Sequence, residues 1–93
     1  MALPRKKILE KIAGKRKAIR YHLNEHIPEL FSVTNRDLLR YWHKEVNNHI
    51  TEMEDWAWQL SKNADILTES TSYRNRLNEL VRVRLSQLGE KSL

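Results

Sequence analysis

"LLRYWHKEVNNHITEMEDWAWQL", residues 38 to 60, carries the pattern on which the fold turns. Leu39, Trp42, Val46, His49, Met53, Trp56 and Leu60 recur at intervals of three and four, the spacing of one helical face and of a heptad seam. A strand would show a period of two, and none is present. Leu38, Ile50 and Ala57 widen the stripe, and Ala64 and Leu67 prolong it. The pattern therefore predicts one helix over residues 35–67, roughly 45 Å long. Within it Trp56 lies on the stripe and belongs to a core. Trp58 lies about 200° further round the helix, among Arg40, Asn47, Thr51, Glu54, Lys62 and Asp65. Either its ring covers the Lys62 stem or packs beneath a neighbouring helix, or it is a contact for a partner, because exposed Trp is costly and interfaces favour it.

Two further helices flank this one. Ile8, Leu9, Ile12, Ile19 and Leu23 share an arc of about 100° and predict a helix over residues 5–26, opened by Pro4. Lys15 and Arg16 interrupt that stripe, and Gly14 weakens the helix by about 1 kcal/mol. Pro28 ends it, and Leu30, Phe31 and Val33 read as a connection that tucks into the core. Thr34 and Asp37 have capping-box spacing, with Val33 and Leu38 as the staple. "TESTS", residues 68–72, reads as a polar turn that caps a third helix over residues 72–88, stopped by Gly89. The expected fold is all-α: an antiparallel three-helix bundle, one domain over residues 1–93, with a long central helix. That helix outruns its neighbours, so a homodimer through its apolar seam is expected to cover the overhang.

Composition sets the remaining bounds. The 93 residues include no Cys, which excludes disulfides, thiolate catalysis and Cys-based zinc sites. No apolar run approaches a membrane span, and "MALPRKK" lacks the apolar core of a secretory signal, so a cytoplasmic location is expected. The net charge of +5 is unevenly placed: residues 1–20 hold eight of the 17 Lys and Arg but one of the 12 acids. Lys6, Lys7, Lys11, Lys17 and Arg20, with Arg82 from the third helix, form a candidate phosphate-contacting set. Lysines on a helix also serve simply as a solvated face.

Other patterns touch on chemistry. "HLNEH", residues 22–26, matches H-x-x-E-H, in which His22 and His26 would ligate a metal and Glu25 serve as base. A chain this short, without a sheet, offers such an enzyme no substrate cleft and no further ligand. His49, within the apolar stripe, needs a hydrogen-bond partner. Arg36 and His43 have the spacing R-x6-H, and Arg20 and His26 fit it too. The pattern resembles the R-x(4–6)-H motif of HEPN ribonucleases, which are helical and often dimeric. That resemblance implies that Arg36 and His43 act on the RNA 2′-OH and scissile phosphate.

The leading expectation is a non-enzymatic protein-binding module, an adaptor, regulator or inhibitor of a larger protein, contacting its partner through Trp58, Tyr41 and Lys62. Nucleic-acid binding through the basic helix is the alternative, and a HEPN-like ribonuclease stands third. No catalytic residue, cofactor, metal, membrane or small-molecule substrate is expected.

Overall fold

The computed structural model describes residues 3–26, 36–91 and 93, and their regular structure is entirely helical. Helix α1 spans Arg5–Tyr21 and runs on into a π-helical segment, His22–His26. Helix α2 spans Arg36–Ala57 and helix α3 Ala64–Gln87. The expected capping box, its staple and the tucked connection fall on or depend on residues 27–35, outside the described residues.

Helix α1 starts as its sequence suggests. Pro4 stands just before the first turn, and its carbonyl accepts from the backbone N–H groups of Lys7 (2.9 Å) and Ile8 (3.2 Å). Ile8, Ile12, Ile19 and Leu23 are buried, but Leu9 is exposed, because it lies at the margin of the stripe rather than under a neighbouring helix. The interruption at Lys15 and Arg16 has a structural role. Lys15 forms an ion pair with Glu52 of α2, and Arg16 pairs with Glu69 of α3 at 2.6 Å. Where the stripe lacks apolar residues, α1 is held to each neighbour by charge.

The single long helix expected over residues 35–67 is instead interrupted. Helix α2 stops at Ala57, residues 58–63 turn, and α3 begins at Ala64. Neither Gly nor Pro marks the break. Asn63 makes it: its side-chain amide donates to the carbonyls of Ala57 (3.1 Å) and Leu60 (3.3 Å). Carbonyls at a helix end lack their regular helical donors; Ala57 also accepts from the Leu60 N–H, and Asn63 supplies a further donor to it and one to Leu60. Leu60 and Leu67 still pack against the core, so the periodicity persists across the turn although the helix does not.

"TESTS" lies inside α3 rather than before it. Ser70 is fully buried, and its hydroxyl is within reach of Glu54 Oε2 (2.7 Å) and the Leu67 carbonyl (2.8 Å), its one proton serving either. Thr71 donates back to the same carbonyl at 3.0 Å. Such back-bonding lets residues typical of turns sit within a helix. The C-terminal stop is where Gly89 suggests. Gly89 has φ 75°, and the N–H groups of Gly89 and Glu90 donate to the carbonyls of Ser86 (3.1 Å) and Leu85 (2.9 Å), a Schellman closure.

The core combines Ile8, Ile12, Ile19 and Leu23 with Val46, Ile50, Met53 and Ala57 of α2 and Leu77 and Val81 of α3. Each large apolar side chain buried this way contributes about 1.5–3 kcal/mol. With 22 and 24 residues, α2 and α3 are nearly matched in length. The overhang that a longer central helix would leave does not arise.

Candidate binding surface

The turn joining α2 to α3 is short and internally bonded. The N–H of Trp58 donates to the Glu54 carbonyl at 3.0 Å, that of Gln59 to Trp56 (3.1 Å) and that of Leu60 to Ala57 (2.9 Å). These bonds tighten the helix end and fix the backbone beneath residue 58. Trp58 is nonetheless 68% exposed, whereas Trp56, two residues earlier, packs against the core. The two indoles separate as their positions on the stripe require.

Beside this turn lies a cleft of about 370 Å³ lined by Leu3, Arg5, Ile8, Gln59, Leu60, Ser61 and Lys62. Ile8 and Leu60 give it an apolar floor, and Arg5 and Lys62 bring two cations to it with no acid among the lining residues. Neither cation makes an ion pair with a described residue. Of the three residues expected at a partner contact, Trp58 and Lys62 thus share one turn. Tyr41 is also exposed, but it lies 17 residues before Trp58, about 25 Å along α2.

Tyr41 belongs to a different group. Its ring meets Trp42 edge-on at 5.4 Å, Trp42 meets His22 at 5.2 Å, and His22 stacks on His49 at 5.7 Å. Tyr21, exposed on α1, contacts His22 at 5.8 Å. The adjacent aromatic pairs Tyr21–His22 and Tyr41–Trp42 are visible in the sequence, but their meeting is not, because it depends on how α1 lies against α2. Leu3 and Arg5 escaped the sequence reading for the same reason. His49 also has Glu45 at 3.8 Å from Nε2.

The candidate phosphate contacts divide. Lys6, Lys7, Lys11 and Lys17 are exposed on α1, and among the described residues only Lys7 of these forms an ion pair, with Glu10 at 3.6 Å. Arg20 donates to the Tyr73 hydroxyl at 2.8 Å and lies 3.6 Å from Glu69. Arg82 pairs with Glu79, so both arginines are already engaged within the chain. Arg36 lies 3.5 Å from Glu90, just beyond α3, and the His43 ring 3.1 Å from Asn78 Oδ1 within α3, so the two residues of the R-x6-H pattern meet different side chains. The readings that need the His26 side chain lie outside the described side chains. Among the described residues no three His, Asp or Glu side chains gather as a metal-binding group, and no helix is long and apolar enough to cross a membrane.

The arrangement defines an all-helical domain with an exposed indole and a cationic cleft at one end and an aromatic row elsewhere. Compared with family models, curated proteins and solved structures, the chain gives no match.

Proposed function

We propose that this chain is a non-enzymatic protein-binding module whose contact surface is the α2–α3 turn, anchored by Trp58. The observation that carries the reading is a Trp 68% exposed on a turn whose backbone is hydrogen-bonded in place. Holding an indole in water is costly, and a rigid presentation reduces the entropy lost on binding. The proposed arrangement is an antiparallel bundle. Contacts between α2 and α3 pass from Glu54 with Ser70, through Asn47 with Arg74 and His43 with Asn78, to Arg36 with Glu90, which supports it. The proposed partner is a different protein rather than a second copy, since Val46, Ile50, Met53 and Ala57 are already buried within one chain.

The test compares two tryptophans. Trp58→Ala should leave the melting temperature within about 2 °C, as surface substitutions do, while Trp56→Ala should cost about 2–3 kcal/mol of stability. Cross-linking in the cell of origin should then recover a protein with the wild type that is lost with Trp58→Ala. A partner retained equally by both, or an equal stability loss from both, overturns the anchor.

A second reading rests on Lys6, Lys11 and Lys17, exposed along α1 and without an ion pair to a described residue, with Tyr21 exposed further along the helix. If these lysines bind phosphates, affinity for a random RNA or DNA duplex should fall with log salt concentration at a slope of about −2 to −3. A flat dependence excludes it.

A further inference from the structure

We infer that the cleft beside Trp58 takes a partner segment in which an apolar side chain is flanked by Asp or Glu. This specifies the partner chemistry of the surface proposed above and rests on that reading.

Three partly buried cations are matched to acids: Lys15 with Glu52, Arg16 with Glu69 and Arg74 with Glu54. Arg5 and Lys62, both exposed, make no ion pair with a described residue, yet they line one concavity with Leu3, Ile8, Gln59, Leu60 and Ser61. A solvated face would place such charges on convex surface. Here they border an apolar floor, so an occupant that fills the cleft must shed water beside two positive charges. Apolar chemistry alone leaves those charges poorly compensated, and an anion alone leaves the exposed Leu3 and the exposed part of Leu60 uncovered. A segment carrying both satisfies the floor and the rim together. The volume, about 370 Å³, suits one large side chain with its neighbouring backbone rather than a folded surface. Gln59 and Ser61 add neutral hydrogen-bonding groups for that backbone. Trp58 does not line the cleft, but it immediately precedes the lining residue Gln59 and is exposed, so a segment extending past the cleft along this turn would meet it.

The alternative macromolecule, nucleic acid, also seeks cations, but it fits this place less well. Its phosphates need charge spread along a surface, which the outer face of α1 supplies and the cleft does not.

The experiment uses the full chain labelled with 15N and an end-blocked peptide of sequence DELFDELFDE, titrated by NMR. A second peptide replaces each Asp and Glu with Asn and Gln, and a third replaces each Leu and Phe with Ser. The expected result is a set of shifts confined to Leu3, Arg5, Ile8, the 58–62 backbone and the Trp58 indole N–H, with both control peptides at least tenfold weaker. Arg5→Glu with Lys62→Glu should weaken binding of the first peptide about tenfold or more, with the amide spectrum elsewhere unchanged, as expected when two exposed ion pairs become repulsions. Trp58→Ala should weaken it as well.

The two readings fail differently. If Trp58→Ala abolishes binding but the charge reversal does not, the acidic specificity is wrong and the Trp58 surface stands. If neither variant matters, or if millimolar peptide causes no shifts, the inference is overturned. Shifts centred on Lys6, Lys11 and Lys17 would overturn it too, as would a random duplex that displaces the peptide through Arg5 and Lys62.

Discussion

At the scale of single residues, the two glycines show how position decides the value of one hydrogen atom. Gly14 sits inside α1, exposed, and a Cβ built there meets nothing within 4 Å. Gly14→Ala should therefore stabilise the protein by about 0.5–1 kcal/mol, mostly by restricting the unfolded chain. In a domain of this size that is a rise in melting temperature of about 3–6 °C. Gly89 has the same open surroundings but φ 75°, so Gly89→Ala should lower stability by about 1 kcal/mol through backbone strain alone. Thermal melts of both variants decide the matter, and shifts of the same sign would contradict the account. The tryptophans were sorted at this scale too. The exposure of Trp58 was readable from its angle off the stripe, whereas Leu9 was misplaced because an arc of about 100° says nothing about which edge a neighbour covers.

At the scale of elements, the sequence pattern indicates three helices but misplaces both the end of the second and the start of the third, and Asn63 explains the first of these. The apolar repeat is a record of burial, and Leu60 and Leu67 stay half-buried on both sides of the turn. Periodicity therefore passes through the break unmarked. The stop comes from a side-chain amide reaching back to two carbonyls, a contact that one-letter patterns do not display. "TESTS" errs in the opposite direction, since its hydroxyls bond within the helix instead of capping it. If Asn63 is the stop, Asn63→Ala should cost about 1 kcal/mol in urea denaturation, the usual net value of hydrogen bonds lost at a helix end. Asn63→Asp should not recover it, because a carboxylate cannot donate to a carbonyl. Full stability in either variant would mean that the turn is set by packing of Leu60 and Leu67 alone.

At the scale of the whole molecule, each of the three helix pairs carries its own ion pair: Lys15 with Glu52 for α1 and α2, Arg16 with Glu69 for α1 and α3, and Arg74 with Glu54 for α2 and α3. Arg74 holds Glu54 through both guanidinium N–H groups, each at 2.8 Å, and its Nε donates to Asn47 at 3.2 Å. Glu69 takes Arg16 at 2.6 and 2.8 Å and accepts the Tyr73 hydroxyl as well. These partners hold all three carboxyls below their ordinary range: hydrogen bonding from Lys15 for Glu52, from Arg74 for Glu54, and from Arg16 for Glu69. A carboxyl lowered on folding stabilises the native state wherever the unfolded chain still binds more protons. The contribution is complete above about pH 5, and it drains away as the pH falls below the unfolded Glu value of about 4.3 and through the lower folded ones. Glu54 and Glu69, each with 22% of the side chain exposed, should dominate, and the half-exposed Glu52 should add less. Urea midpoints should accordingly hold steady between pH 7 and 5 and drop between pH 4 and 2, with Glu54→Gln and Glu69→Gln each flattening the drop while lowering the plateau. A midpoint as high at pH 3 as at pH 6 would show that the apolar core alone holds the helices, with the ion pairs fixing only which faces meet.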